Sequence, residues 1–311
     1  MTKSIITLTL TMLIFSGLHA QTNNVEITNQ FFKAYEEMDF DKMASYWDDS
    51  LKLQDLIVAE MYKIEDTYYG RQTPLELWKQ AFSVKPNYIR ISVREQFTSG
   101  NFVVSDLSFE SSSSNNEKTA ITKGEMFTIF KFHNGKITEH YDFGDYYTWG
   151  RQIRSVLKGE HHVNYPEEKN LAIAQAYIDA YSNSDLEKMS SFYADDVEFK
   201  DLTAKDVFKA NNFEQNGKEH VKSFWKGVLI DPKAKYLNVK IDGAFYSASY
   251  VMLNTTFAMI LPASWTGGKE NVYVQFPIKT ILQIKEGKIT KHYDFADYDL
   301  YHEQIRLQTA N

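Results

Sequence analysis

The amino-acid sequence predicts an α+β protein made twice over, each half setting helices against one face of a curved, mostly antiparallel sheet. Three observations carry this. The phrase Gly135-Lys136-Ile137-Thr138-Glu139-His140-Tyr141-Asp142-Phe143-Gly144-Asp145-Tyr146 returns as Gly287-Lys288-Ile289-Thr290-Lys291-His292-Tyr293-Asp294-Phe295-Ala296-Asp297-Tyr298, changed at two positions and offset by 152 residues from Gly135 to Gly287. That offset far exceeds the period of a solenoid or propeller repeat, so it marks a duplicated domain. Helical periodicity opens each half and strand-like alternation closes it, and 311 residues suit about two domains.

In the first half, Val25, Phe31, Phe32 and Tyr35 stand at helical spacing, and Asp39 is placed to cap a second helix through Trp47. Ser184-Asp185-Leu186 begins the matching helix of the second half. Leu51 to Leu56 and Val197 to Leu202 alternate as short strands ending at Asp55 and Asp201, 146 residues apart. Gly70-Arg71 leads into a helix over Pro74–Phe82 with Trp78, and Gly217-Lys218 into one over Glu219–Leu229 with Trp225. Strand runs follow over Tyr88–Phe97, Phe102–Glu110 and Ile121–Phe132, then over Tyr236–Ile241, Phe245–Phe257 and Val272–Ile284. Ser111 to Lys118 reads as a polar hairpin tip, and the Gly-Lys turn starts a hairpin strand expected to end each domain.

Composition sets the outer bounds. Hydrophobic residues make up 43% and aromatics 15%, enough for packed cores, while a net charge of −7 without a basic run argues against nucleic acid or an anionic membrane as partner. There is no cysteine, hence no disulfide or thiol chemistry. Lys3, the almost uncharged stretch from Ile5 to Leu18, and Ala20 together predict a secretory signal peptide over residues 1–20, the alternative being a retained anchor because Leu18 is bulky for the A-x-A pattern. The mature protein is then periplasmic or secreted, with domains at 21–156 and 167–311 and a polar linker at 157–166. Phosphate loops, HExxH and G-x-S-x-G motifs do not occur, so no cofactor is expected.

Tyr193-Ala194-Asp195-Asp196-Val197-Glu198-Phe199-Lys200-Asp201, Gly217 with Phe224-Trp225, and Gly287-Lys288-Ile289 together resemble the nuclear transport factor 2-like superfamily, nearest its SnoaL-like members. The resemblance covers nearly all of the mature chain, once per half. It implies two tandem cone-shaped domains, each a sheet wrapped around about three N-terminal helices and enclosing an apolar cavity. This fold hosts isomerases, dehydratases, hydrolases, cyclases and non-catalytic binders, so it does not settle function. Ketosteroid isomerases of the superfamily place a general base where Asp201 stands and an oxyanion-donating tyrosine where Tyr177 stands. Their third group, a protonated Asp, falls at Thr280. The first half keeps Asp55 but has Phe31 at the Tyr177 position, so the comparison favours the second cavity for any catalysis.

Three functions are compatible with these residues. One is a binder of a small apolar or amphipathic molecule, lined by Asp55, Trp78, Tyr141, Phe224, Trp225 and Tyr293. Another is a cofactor-independent acid/base enzyme using Asp201 and Tyr177. The third is a protein-interaction scaffold. His140/Asp142 and His292/Asp294 are two apart on a strand, so each pair shares one face. A metal would need a third ligand that the sequence does not identify, and none is expected. If the face of Ile137, Tyr141 and Phe143 lines the cone, the His/Asp pairs lie outside and orient the halves as an internal pseudo-dimer; alternation alone does not choose. Phe208, Phe213 and Trp265 are candidates for a lid.

Overall fold

The computed structural model describes residues 23–83, 85–114, 118–158 and 167–310. The expected signal peptide, the hairpin tip at 115–117 and the linker from residue 159 onward lie outside them. The first half runs α1 (23–36), α2 (Phe40–Ser45), β1 (Trp47–Gln54), α3 (Leu56–Tyr62), β2 (Thr67–Tyr69), α4 (Gln72–Ala81), β3 (Tyr88–Ser99), β4 (Phe102–Ser114), β5 (Thr119–His133), β6 (Lys136–Gly144) and α5 (Tyr146–Lys158). The second repeats the order as α6 (Glu167–Ser182), α7 (Leu186–Phe192), β7 (Tyr193–Asp201), α8 (Leu202–Phe208), β8 (Glu214–Asn216), α9 (Lys218–Leu229), β9 (Tyr236–Ser247), β10 (Tyr250–Ile260), β11 (Tyr273–Lys285), β12 (Lys288–Ala296) and α10 (Tyr298–Thr309). The sheets have the same order, β2-β1-β6-β5-β4-β3 and β8-β7-β12-β11-β10-β9. In each, one parallel pairing (β1 with β6, β7 with β12) interrupts an otherwise antiparallel ladder.

Local chemistry explains most boundaries. Asp39 and Asp185 accept the backbone N–H of Lys42 and Lys188 at 3.0 Å and cap α2 and α7. The turns into β6 and β12 place Asn134-Gly135 and Glu286-Gly287 at positive φ, between 50° and 77°, the twist a two-residue hairpin needs. Two expectations are corrected. The run Phe245–Phe257 is not one strand: the tight turn at Ala248 (φ 53°) and Ser249 divides it between β9 and β10. Nor does the repeated phrase end each domain. Its Asp145 and Asp297 accept the N–H of Thr148 and Leu300 and cap a further helix, α5 and α10; α5 runs into the first two residues of the expected linker.

Simple alternation fails in the closing strands. Phe132 pairs with Ile137 and Lys131 with Glu139, which leaves Thr138 as an extra residue; Thr290 is the extra residue between Ile289 and Lys291. Such a bulge turns the remainder of the strand to the opposite face. Ile137 therefore packs inside the first cone with Phe31, Trp47 and Phe130, and Ile289 inside the second with Tyr177, Tyr193 and Trp225. Tyr141, Phe143, Tyr293 and Phe295 instead face outward, and join Phe127 and Phe245 in one cluster shared by both halves. Rings meet across it at 5.0 Å (Phe127–Phe245) and 6.0 Å (Tyr141–Phe295). The His/Asp pairs do not form this seam.

A buried polar bridge crosses beside the aromatic seam. Lys279 on β11, fully buried, donates to Glu95 of β3 and, at 2.7 Å, to Asn254, with Asp106 of β4 at 3.8 Å. Removing one member of a buried pair leaves its partners' charge uncompensated. We expect Lys279→Ala to lower stability by about 3 kcal/mol, the low end for such pairs because Asp106 retains Arg94 at 2.5 Å. Urea unfolding reads this directly, and a variant as stable as the parent would show that the bridge does not hold the halves together.

Candidate functional site

The interior of the second cone is a closed hydrogen-bond network. Asp294 on β12 lies 3.1 Å from His292 Nε2 and accepts Thr280 Oγ1, its cross-strand partner on β11, at 2.6 Å. The carboxylate beside Nε2 favours the tautomer with the proton there and leaves Nδ1 as acceptor. The hydroxyls of Tyr193 and Tyr177 reach Nδ1 at 3.0 and 3.3 Å and lie 2.6 Å from each other. The Trp225 indole donates to Tyr193 at 3.0 Å. Each of these polar groups is thereby satisfied, as burial requires.

Asp201 belongs to a second set. Its Oδ1 accepts from Ala204 N at 2.8 Å, capping α8, and from Thr203 Oγ1 at 2.9 Å; its Oδ2 accepts the Tyr298 hydroxyl at 2.5 Å. Burial pushes its pKa up to about 7, the nearby Asp294 adding to the rise against three hydrogen bonds that lower it. Asp55 is held likewise by Val58 N at 2.9 Å and the Tyr146 hydroxyl at 2.8 Å, and burial with Asp142 raises it to about 7. The sequence comparison paired Asp201 with Tyr177. The structure gives each a different partner: Tyr177 is tied to Tyr193 and His292, and burial, with the Tyr193 phenol next, holds its own ionisation far above the usual range.

The first cone has the same frame with different filling. His140 Nε2 lies 2.9 Å from Asp142, off the line of a good hydrogen bond, and Asp142 accepts Thr128 Oγ1 at 2.6 Å. Phe31 stands where Tyr177 stands and Trp47 where Tyr193 stands. Both bring rings and no hydroxyl: Phe31 meets His140 edge-on at 5.6 Å and Trp47 lies 6.1 Å away. Both ring nitrogens of His140, and Trp47 Nε1, are buried without a hydrogen-bond partner among the described residues. His140, 1% exposed, walls a cavity of about 10 Å³ together with Asp142, Thr128, Phe31, Tyr35 and Trp78.

Of the other expected lining residues, Trp225 and Trp78 stack on His292 and His140 at 5.9 Å, and Phe224 packs on Phe199 at 4.9 Å. Tyr141 and Tyr293 are on the outer face, because the bulge turns them away from the cones. Phe208 and Phe213 stack at 5.4 Å, and Phe208 covers Tyr298 at 5.1 Å, over the Asp201 end of the cone. Sequence reasoning missed Tyr146, Tyr298 and Tyr193. The first two were in plain view as the last letter of the repeated phrase, kept at the same offset in both halves.

Among known proteins, a family model described as SnoaL-like domain matches residues 28–140 and 174–292. A protein of Shewanella denitrificans OS-217 assigned as a SnoaL-like polyketide cyclase is 20% identical over 45% of this chain and 98% of its own, with a TM-score of 0.38. A LEH-like epoxide hydrolase of M. tuberculosis is 14% identical over 45% and 95%, at 0.35. A Catenulispora acidiphila DSM 44928 protein with a ketosteroid isomerase-like fold, in complex with trimethylamine, is 13% identical over 41% and 91%, at 0.34. No curated protein matches the chain.

The raised Asp201 pKa makes a prediction about stability. The folded state binds this proton more tightly than the unfolded chain, so the stability it contributes is complete below the ordinary carboxylate value of 3.8 and is lost as pH rises through about 7. Urea unfolding should show stability falling across that window. Asp201→Asn keeps an acceptor for Ala204 and Thr203, and should flatten part of the fall; an unchanged slope would mean that Asp201 is ionised throughout.

Proposed function

The chain belongs to the SnoaL-like domain family, once in each half, and from that premise we propose that it binds a small, mostly apolar molecule in the cone of its first half. One observation carries this reading: His140, at the wall of a cavity, has no hydrogen bond to either ring nitrogen among the described residues, whereas two tyrosine hydroxyls reach the equivalent imidazole in the second half. An orphaned buried polar atom costs about 1–3 kcal/mol, so a ligand that pairs with it recovers that cost. The walls define the ligand class: a compact apolar body with one hydroxyl or N–H to pair with His140. The cavity holds about one water, so a ligand gains access as the half-buried Tyr35 and Trp78 swing outward. In this reading residues 1–20 are removed on export and the protein acts in the periplasm or outside the cell.

Native mass spectrometry of the protein purified from its own host should reveal a bound small molecule. The double variant Phe31→Tyr, Trp47→Tyr copies the filling of the second cone and should lose it. A high-resolution crystal structure with a single water on Nδ1, together with a bare mass, would remove the reading.

A second reading, acid/base catalysis without a cofactor, is favoured by Asp201, whose raised pKa Asp55 shares. A carboxylate poised near neutrality suits a general base, and in this reading Tyr298 rather than Tyr177 is its partner. Exchange of the α-protons of cyclohexanone in heavy water, followed by NMR, tests it. Exchange above the buffer rate that vanishes in Asp201→Asn supports catalysis, and exchange at the buffer rate in the parent sinks it.

A further inference from the structure

We propose that the groove between the two halves is a separate binding site, for a small carboxylate whose anionic end sits between Lys52 and Lys200. The groove has a volume of about 540 Å³, which falls within the range of small-molecule sites. Strands β1 and β6 supply one wall and β7 and β12 the other, so it exists only because the domain is duplicated. Its floor is the paired phenols Tyr141 and Tyr293, both buried, with Lys52 Nζ 5.2 Å from the first ring centroid and Lys200 Nζ 5.4 Å from the second. These are the two tyrosines that the sequence marks for ligand contact and the bulge turns outward.

The charges decide the ligand. Four lysines line the groove (Lys52, Lys131, Lys200 and Lys205) against three carboxylates (Glu139, Asp206 and Glu214); with Glu198, which pairs with both Lys200 and Lys291, five lysines meet four carboxylates, leaving one positive charge in excess. Three of the lysines are already engaged: Lys131 with Glu139 at 3.2 Å, Lys200 with Glu198 at 3.0 Å, and Lys205 with Glu214 at 2.5 Å. Lys52 has no carboxylate within 4.0 Å among the described residues, and its polar contact is the Tyr141 hydroxyl at 3.4 Å. That hydroxyl is itself committed as donor to Glu139. The half-buried ammonium thus lacks an ion pair at contact distance. Burial depresses its pKa, and Lys200 adds to the depression while the more distant charges of Glu139, Glu214 and Glu198 oppose it. A monocarboxylate neutralises the excess and gives Lys52 a charge-assisted hydrogen bond. The tyrosines, Gln54 and Thr138 leave room for a polar remainder. The site is independent of the cones.

Titration calorimetry on the full chain tests the assignment, with benzoate as probe and benzamide as its uncharged counterpart. Benzoate should bind, benzamide should not, and inorganic phosphate should bind more weakly than benzoate. Lys52→Met, a half-exposed position whose fold is checked by thermal melting, should weaken benzoate about tenfold or more, the loss of one charge-assisted bond. Phe31→Tyr, Trp47→Tyr should leave benzoate binding unchanged, which separates the groove from the cone. Absence of benzoate binding, equal binding to Lys52→Met, or equal binding of benzamide overturns the proposal. Tighter binding of phosphate overturns the choice of carboxylate.

Discussion

One inserted residue in each closing strand governs this molecule. Without Thr138 and Thr290 as bulges, Ile137 and Tyr141 would share a face, and so would Ile289 and Tyr293. With them, each strand changes sides midway. The isoleucine closes the base of the cone, His and Asp enter its interior, and Tyr and Phe cover its outer surface. The seam between the halves, the buried imidazoles and the groove above the paired tyrosines all descend from that change of face.

Duplication then allowed the two interiors to diverge on one frame. The shared parts are a threonine–aspartate–histidine line across the last two strands and an aspartate held by the tyrosine of the following helix. The difference lies in the material packed against the imidazole. Two phenols in the second half satisfy Nδ1 and close the network, which makes that cone a rigid polar core. With a phenyl and an indole there, three nitrogens of the first, Trp47 Nε1 and both of His140, have no hydrogen-bond partner among the described residues. The half that lacks the catalytic-looking tyrosine is therefore the one with an unmet bonding need, and unmet need is where a ligand gains most.

Much of this was legible in the chain. The repeated phrase established duplication, and a Gly at positive φ in each copy made its hairpin turn. Periodicity placed the helices of Trp78 and Trp225, and Asp39 and Asp185 announced caps that do form. Asp55 and Asp201 were marked as strand-ending carboxylates. Their further role as caps of α3 and α8 stayed hidden, because those helices are only seven residues each and too short for a periodic signal.

The sequence by itself determined the fold, its duplication and the residue types available to a site: two buried carboxylates, two His/Asp pairs, and a hydroxyl-rich interior in one half only. Tertiary structure decided which way those residues face and whom they meet. A bulge adds no distinctive residue type, so alternation could not reveal that His140 points inward and Tyr141 outward. The bond between Asp201 and Tyr298 spans 97 residues of chain, and the Lys279 bridge to Glu95 spans 184. Partners that distant are selected by how the sheet curls and how the two halves pack, which local sequence does not encode.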